Sequence, residues 1–207
     1  MSVPVKLIQK EFWYSRHGQT AANIHKLANG RVDDPLTELG ETQAKQAGVA
    51  LSAYFKDSEH PFERIVASPL IRATKTAQLI QAEIQKRTSV LLPLTIDESL
   101  IEANFGEYEG KKLEAWYENW LLGKVFPEKG ESFQDLQQRA GEAVNKINQL
   151  SGTSLIVAHG TFFRALRSLM GLDISLHIKN ATPMKITPPS KEDKGWTLFS
   201  PELPVNS

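Results

Sequence analysis

The sequence predicts an α/β layer protein. Short apolar runs of strand length alternate with longer stretches whose apolar residues recur at helical spacing. No internal repeat or low-complexity tract breaks that alternation. The chain has 207 residues, 41% hydrophobic and 23% charged, which is too apolar for disorder and long enough for one buried core. A single domain over 1–207 is expected at roughly 100–200 residues per domain.

Phe12-Trp13-Tyr14-Ser15 is rich in β-formers and runs into Arg16-His17-Gly18, so it predicts the first strand. Thr37 is a helix cap, and Ala44, Ala47, Leu51 and Tyr54 recur at helical spacing on a helix to about Lys56. Arg64-Ile65-Val66-Ala67 predicts a second strand, stopped by Ser68-Pro69. The next helix, about Leu70 to Lys86, carries Ala73, Ala77, Ile80 and Ile84 on one face. Ser89 to Ile96 predicts a third strand.

Ser132 caps a helix with Phe133, Leu136, Ala140, Ala143, Ile147 and Leu150 as its apolar stripe. Ser154-Leu155-Ile156-Val157-Ala158 is apolar almost throughout, which suits a strand covered on both faces. It ends at His159-Gly160, and a helix to Met170 follows, closed by Gly171. Met184 to Thr187 and Trp196 to Ser200 predict a final hairpin. The stretch 103–131 departs from the alternation. It holds a possible short helix from Lys111 to Asn119 and the cluster Trp116, Tyr117, Trp120, and is expected to be an insertion over one end of the sheet.

Composition excludes several chemistries. There is no cysteine, hence no disulfide, thiolate metal site or cysteine nucleophile. Lys plus Arg and Asp plus Glu both total 24, so no net field favours nucleic acid or an anionic membrane as partner. No window approaches the roughly 18 apolar residues of a membrane span. The expected location is the cytoplasm, and the sequence is silent on oligomeric state.

In an open α/β sheet, ligands bind beyond the carboxyl ends of the strands. The predicted strands deliver Arg16, His17 and Gly18 there, then Ser68-Pro69 with Arg72 a turn on, then Glu98 and Glu102, then His159 and Gly160. Taken singly each has a plainer reading, as a turn, a solvated side chain or a surface carboxylate. Their coincidence at four strand ends points to a phosphate monoester. A phosphoryl group in transfer needs fixed positive donors, which arginine forks and a helix N-terminus supply. One histidine can be the nucleophile, and a carboxyl can protonate the leaving oxygen. The histidines show no metal-ligand spacing, so no metal is expected. Spacing does not choose between Glu98 and Glu102.

Arg16-His17-Gly18-Gln19-Thr20 with Asn23 resembles the signature of the histidine phosphatase superfamily, the phosphoglycerate mutase-like family. Pro35-Leu36-Thr37-Glu38-Leu39-Gly40 with Gln43-Ala44 is similar to its second block, and Ala67-Ser68-Pro69-Leu70 with Arg72-Ala73 to its third. Leu100-Ile101-Glu102 with Phe105-Gly106 and Glu109-Gly110 resembles the acid block. Gly130-Glu131-Ser132 and Val157-Ala158-His159-Gly160 complete the order, over about residues 12–186.

The resemblance implies a three-layer α/β/α sandwich with a mostly parallel central sheet. It implies His17 as the phosphorylated nucleophile and Glu102 as general acid and base. Arg16, Arg72 and His159 would hold the phosphate, with Asn23 and Gly160 assisting. It implies hydrolysis of a small phosphorylated metabolite without a metal or other cofactor. Only 19 residues, Lys111 to Lys129, separate Gly110 from Gly130, which favours a compact phosphatase over a mutase. A mutase stays the alternative, and a silent phosphate-binding module a further one. Trp116 and Trp120 are expected as core or as a substrate lid, the core reading being preferred.

Overall fold

A computed structural model describes residues 5–55 and 60–204. Six strands form one sheet in the order β3-β2-β4-β1-β5-β6. They are β1 (Phe12–Arg16), β2 (Arg64–Ala67), β3 (Leu94–Ile96), β4 (Ser154–Ala158), β5 (Pro183–Thr187) and β6 (Thr197–Phe199). The first four are mutually parallel, while β5 runs antiparallel to β1 and β6 antiparallel to β5. The sheet is therefore mostly parallel with an antiparallel edge, as expected.

The helices are α1 (Ala21–His25), α2 (Glu38–Ser52), α3 (Ile71–Thr88), α4 (Ala115–Leu121), α5 (Phe133–Asn148) and α6 (Gly160–Leu169). The strand period of two sorts the core into two halves. Tyr14, Val66, Ile156 and Ala158 pack with Leu136, Ala140 and Phe162 of α5 and α6. Trp13, Ile65, Leu155 and Val157 pack on the other face with Leu51 of α2 and Ala77 and Ile80 of α3. β1 and β4 are buried along their whole length, the reason β4 lacks polar alternation. Each large aliphatic or aromatic side chain so covered contributes about 1.5–3 kcal/mol. The outcome is helices on both faces of one sheet, the three-layer sandwich.

Local signals set half of the helix starts, α1, α2 and α5 having side-chain caps. Thr37 Oγ1 accepts from Gly40 N at 3.0 Å at the start of α2. Ser132 and Asp135 form a reciprocal capping box at α5. Gly171 takes φ +69° beyond α6, where a side chain would be strained.

Five boundaries differ from expectation. α2 ends at Ser52, so Tyr54 sits in a turn, and Lys56 lies outside the described residues. α3 runs on to Thr88 and is closed by Ser89 in the left-handed region, leaving β3 only three residues instead of the eight from Ser89 to Ile96. β3 can be no longer than its pairing allows, Ile65↔Leu94 to Ala67↔Ile96. The α5 stripe stops short of Leu150, which is exposed. The short helix predicted over Lys111 to Asn119 forms at Ala115–Leu121 instead. In addition α1, five residues long, was not expected.

Candidate active site

The carboxyl ends of β1, β2 and β4 lie side by side, because Arg16 pairs with Ala158 and Ala67 with Val157. That register brings together side chains far apart in sequence. The ring centroids of His17 and His159 are 5.3 Å apart. A cavity of about 100 Å³ is lined by Arg16, His17, Asn23, Glu102, Gly160 and Tyr117, among others.

His17 is held in one tautomer. Its Nδ1 lies 2.7 Å from the Gly18 carbonyl oxygen. A carbonyl only accepts, so Nδ1 carries the hydrogen and Nε2 keeps a free lone pair. Burial first, then the charges of Arg16 and Arg72, push the His17 pKa well below that of a free imidazole. The loop after it is locked. Gly18 N donates to Thr76 Oγ1 at 2.9 Å, and a Cβ on Gly18 would meet the Gly40 carbonyl oxygen at 2.3 Å. The His17 carbonyl accepts from Asn180 Nδ2 at 3.0 Å.

Glu102 is buried and sits against the N-terminus of α6. Oε1 accepts from Ala103 N at 2.9 Å and Phe162 N at 2.8 Å, while Oε2 accepts from Thr161 N at 2.9 Å. Oε2 therefore keeps more acceptor capacity than Oε1. Burial raises the Glu102 pKa, against the pull of those N–H bonds and of Arg72. Its main chain is fixed from α5, since Arg139 donates to the carbonyls of Ser99, Ile101 and Glu102 and pairs with Glu131 at 2.8 Å. Glu98 is exposed and does not line the cavity.

His159 is fully buried. Its main-chain N–H and C=O both meet Tyr14 OH, at 2.9 and 2.7 Å, and its Nε2 lies 2.6 Å from Ser68 Oγ. Nδ1 has no partner among the described residues. Burial and Arg72 push its pKa well down.

Arg16 crosses Gly160, whose missing Cβ would stand 3.2 Å from Arg16 Nε, so this close approach suits glycine. One terminal nitrogen of Arg16 donates to His177 Nε2 and to the Ile178 carbonyl, both at 3.0 Å. Asn23 caps α1 reciprocally with Thr20 and takes a 2.9 Å hydrogen bond from Asn180 on its Oδ1.

Arg72 is anchored by the turn at 29–32. Its terminal nitrogens donate to the carbonyls of Val32, Asn29 and Gly30 at 2.7–3.1 Å. Neither Arg72 nor His159 reaches the cavity wall. Arg72 still acts on the site as a buried charge, lowering the pKa of His17, His159 and Glu102.

The aromatic cluster divides. Trp120 is fully buried and donates from Nε1 to the Glu131 carbonyl, so it is core. Trp116 stacks on Tyr108 at 4.3 Å and does not line the cavity. Tyr117 does line it, its hydroxyl 3.0 Å from Thr161 Oγ1 and its pKa raised by burial to about 12. Ser68 and Thr76 belong to the stretch that resembles the third block but have no role assigned there, while Arg139, Asn180 and His177 are not singled out by the sequence at all. No periodicity or motif spacing marks these three, because each acts across the fold.

Among the described residues no helix is long and apolar enough to cross a membrane, and no group of three acidic or histidine side chains could hold a metal ion. Relatives of the chain are named phosphatases and phosphoglycerate mutases. An uncharacterized phosphatase PhoE of Bacillus subtilis is 33% identical over 153 residues, 73% of this chain and 72% of that protein. A 2,3-bisphosphoglycerate-dependent phosphoglycerate mutase of Nitrobacter hamburgensis is 33% identical over 164 residues, 73% of this chain and 76% of that one. The crystal structure of TTHB049 from Thermus thermophilus superposes with a TM-score of 0.70 at 25% identity, covering 94% of this chain and 100% of that one. With a family model matched over residues 12–198, the chain belongs to the histidine phosphatase superfamily, branch 1.

Proposed function

We propose that the protein hydrolyses small phosphate monoesters through a phosphohistidine on His17. The observation that carries this is the His17 tautomer: Nδ1 is engaged by the Gly18 carbonyl, so Nε2 offers a lone pair on a cavity shared with Arg16 and Glu102. In the first step Nε2 attacks phosphorus. The P–N bond forms, the P–O ester bond breaks, and the leaving oxygen takes a proton from Glu102 Oε2. In the second step Glu102 accepts a proton from water, the oxygen of which attacks phosphorus, and the P–N bond breaks to release phosphate. The two pKa shifts run in opposite directions. Each favours the starting form, a neutral imidazole and a protonated carboxyl.

Arg16 supplies direct charge to the phosphoryl oxygens, with Asn23 and the Gly160 main chain beside it. Arg72 contributes its charge from below the cavity wall, and His159, paired through Nε2 with Ser68 Oγ, packs against the His17 ring. We read 1–207 as one domain in which the segment 103–131, through Phe105 and Tyr117, covers the active site. The absence of cysteine suits the reducing cytoplasm. The second reading, a mutase, is favoured by the Nitrobacter relative. It predicts transfer to a hydroxyl of a sugar acid in place of water.

The test is hydrolysis of an aryl phosphate with a chelator present. Activity is expected to survive, and the trapped intermediate to be acid-labile and base-stable. His17→Ala should lose both the label and several orders of magnitude in rate. Loss on chelation restored by one metal, or a label retained in His17→Ala, would overturn the proposal.

A further inference from the structure

Arg16 lines the cavity beside His17, and the direction of its fork decides which of its donors an anion meets. A guanidinium offers two paired edges, Nη1 with Nη2 and Nε with Nη2. Nη1 carries two hydrogens, and both are committed, to His177 Nε2 and to the Ile178 carbonyl, each at 3.0 Å. The first edge is thereby closed. Nε is buried and has no partner among the described residues. It lies against Gly160 at the start of α6, where a Cβ would stand 3.2 Å from it. The edge left to grip an anion is therefore Nε with Nη2, and a buried N–H without a partner is costly until one arrives.

His177 stands in the irregular loop between α6 and β5. That loop is fastened at two places. From α6, Arg164 donates to the Ile174 carbonyl at 2.6 Å and Arg167 to the Leu176 carbonyl at 3.0 Å. Further on, Ala181 N donates to the Arg16 carbonyl at 3.0 Å, and Asn180 Nδ2 to the His17 carbonyl at 3.0 Å. The loop is thus tied to the same strand end whose arginine it touches.

The contact fixes the state of the His177 ring. Arginine has no acceptor and stays charged, so Nε2 supplies the lone pair and Nδ1 carries the hydrogen. A protonated ring would set donor against donor and cation against cation. Burial, then Arg16 and Arg164, hold the His177 pKa below the usual imidazole range, so the neutral acceptor form prevails at neutral pH. With the Ile178 carbonyl alone, one hydrogen of Nη1 would be held and the fork could rock about it. Two acceptors on one nitrogen fix its plane. We infer that His177 is a positioning residue for phosphoryl transfer: by accepting from Nη1 it locks the Arg16 guanidinium so that the Nε and Nη2 edge meets the phosphoryl oxygens. This rests on the hydrolase reading above. His177 acts through Arg16, and its contribution is preorganisation, since donors already in place stabilise developing charge without reorienting.

The test combines a spectroscopic signature with a double-mutant cycle. Nitrogen-15 NMR of the His177 ring at pH 7.5 should show the Nδ1–H tautomer, the opposite of the one a free histidine side chain prefers. On an aryl phosphate, His177→Leu should lower kcat/KM about 10-fold, the scale of one charge-assisted hydrogen bond. His177→Gln, whose amide oxygen can accept from Nη1, should recover most of that. In an Arg16→Lys background, His177→Leu should change kcat/KM by less than about 2-fold, because nothing is left to position. Affinity for inorganic phosphate, read by calorimetry, should rank wild type, Gln and Leu in the same order. An Nε2–H tautomer in the wild type overturns the inference, and needs no variant to fold. So does a His177→Leu protein as active as wild type, equal losses in the Leu and Gln variants, or a full loss that persists beside Arg16→Lys. No turnover of an aryl phosphate by the wild type would overturn the hydrolase reading, and the phosphate affinities would then decide whether His177 sets Arg16.

Discussion

Glu102→Gln replaces one oxygen by an NH2 at nearly constant shape, and the structure sets two separate costs. The carboxylate receives three main-chain N–H groups, two on Oε1 and one on Oε2. An amide has only one oxygen. Its best orientation puts that oxygen in the Oε1 position, keeping Ala103 N and Phe162 N, and sets the NH2 against Thr161 N. One buried N–H is then unsatisfied, at a cost of about 1–3 kcal/mol. A chain of this size loses roughly 2–4 °C in Tm per kcal/mol, so Tm should fall by about 2–12 °C. The kinetic cost is distinct. Under the proposed assignment the variant cannot protonate a leaving alkoxide, and general acid catalysis supplies about 10²–10⁴-fold. An alkyl phosphate should lose that much in kcat. An aryl phosphate, whose phenolate departs unaided, should lose far less in the step that phosphorylates His17. Single-turnover rates on both esters, with a thermal scan of each protein, make the comparison. Equal losses on the two esters would refute the acid role and leave Glu102 as a support for α6. An unchanged Tm would refute the hydrogen-bond accounting.

Three further outcomes follow from the same geometry. Glu98→Gln, at an exposed position, should leave both rates unchanged and shift stability by no more than about 0.5 kcal/mol. Acid should destabilise the fold. Burial holds His17 and His159 well below the usual imidazole range, so below about pH 6.5 the unfolded chain binds the extra protons. Stability then falls with decreasing pH by up to about 2.7 kcal/mol per unit for the two together. Glu102, raised in the fold, opposes this at lower pH as one group against two. Denaturant midpoints at pH 7.5 and 5.5 test it, and a flat profile would count against neutral burial of the pair. Trp120→Ala should cost about 3–5 kcal/mol in chemical denaturation and treat large and small esters alike, because Trp120 is fully buried core. Selective loss of a large substrate at unchanged stability would restore the lid reading.

What the sequence determined by itself was whatever depends on local rules. The uninterrupted apolar run Leu155 to Ala158 announces a doubly covered strand, and β4 is buried along its length. Thr37 and Ser132 announce helix starts and make those caps. The arginine, histidine and glycine blocks sit where strands end, so their gathering at one edge of the sheet was also readable, given that ligands bind there. Tertiary structure decided whatever depends on a partner. The apolar residues Val90, Leu91 and Leu92 look like strand, yet β3 is only as long as its pairing with β2 permits. Trp116, Tyr117 and Trp120 look alike in sequence, but packing sends Trp120 into the core and Tyr117 to the cavity. Arg72 is readable as a residue of the third block, but the turn at 29–32 whose carbonyls accept from its terminal nitrogens is set only by the fold. His177 carries no signal at all, because its role comes from a contact with Arg16 across the fold. A side chain's period and capping chemistry are written within a few residues of it, while its charge environment and hydrogen-bond partners are set by segments distant in sequence, such as the 29–32 turn for Arg72 and His177 for Arg16.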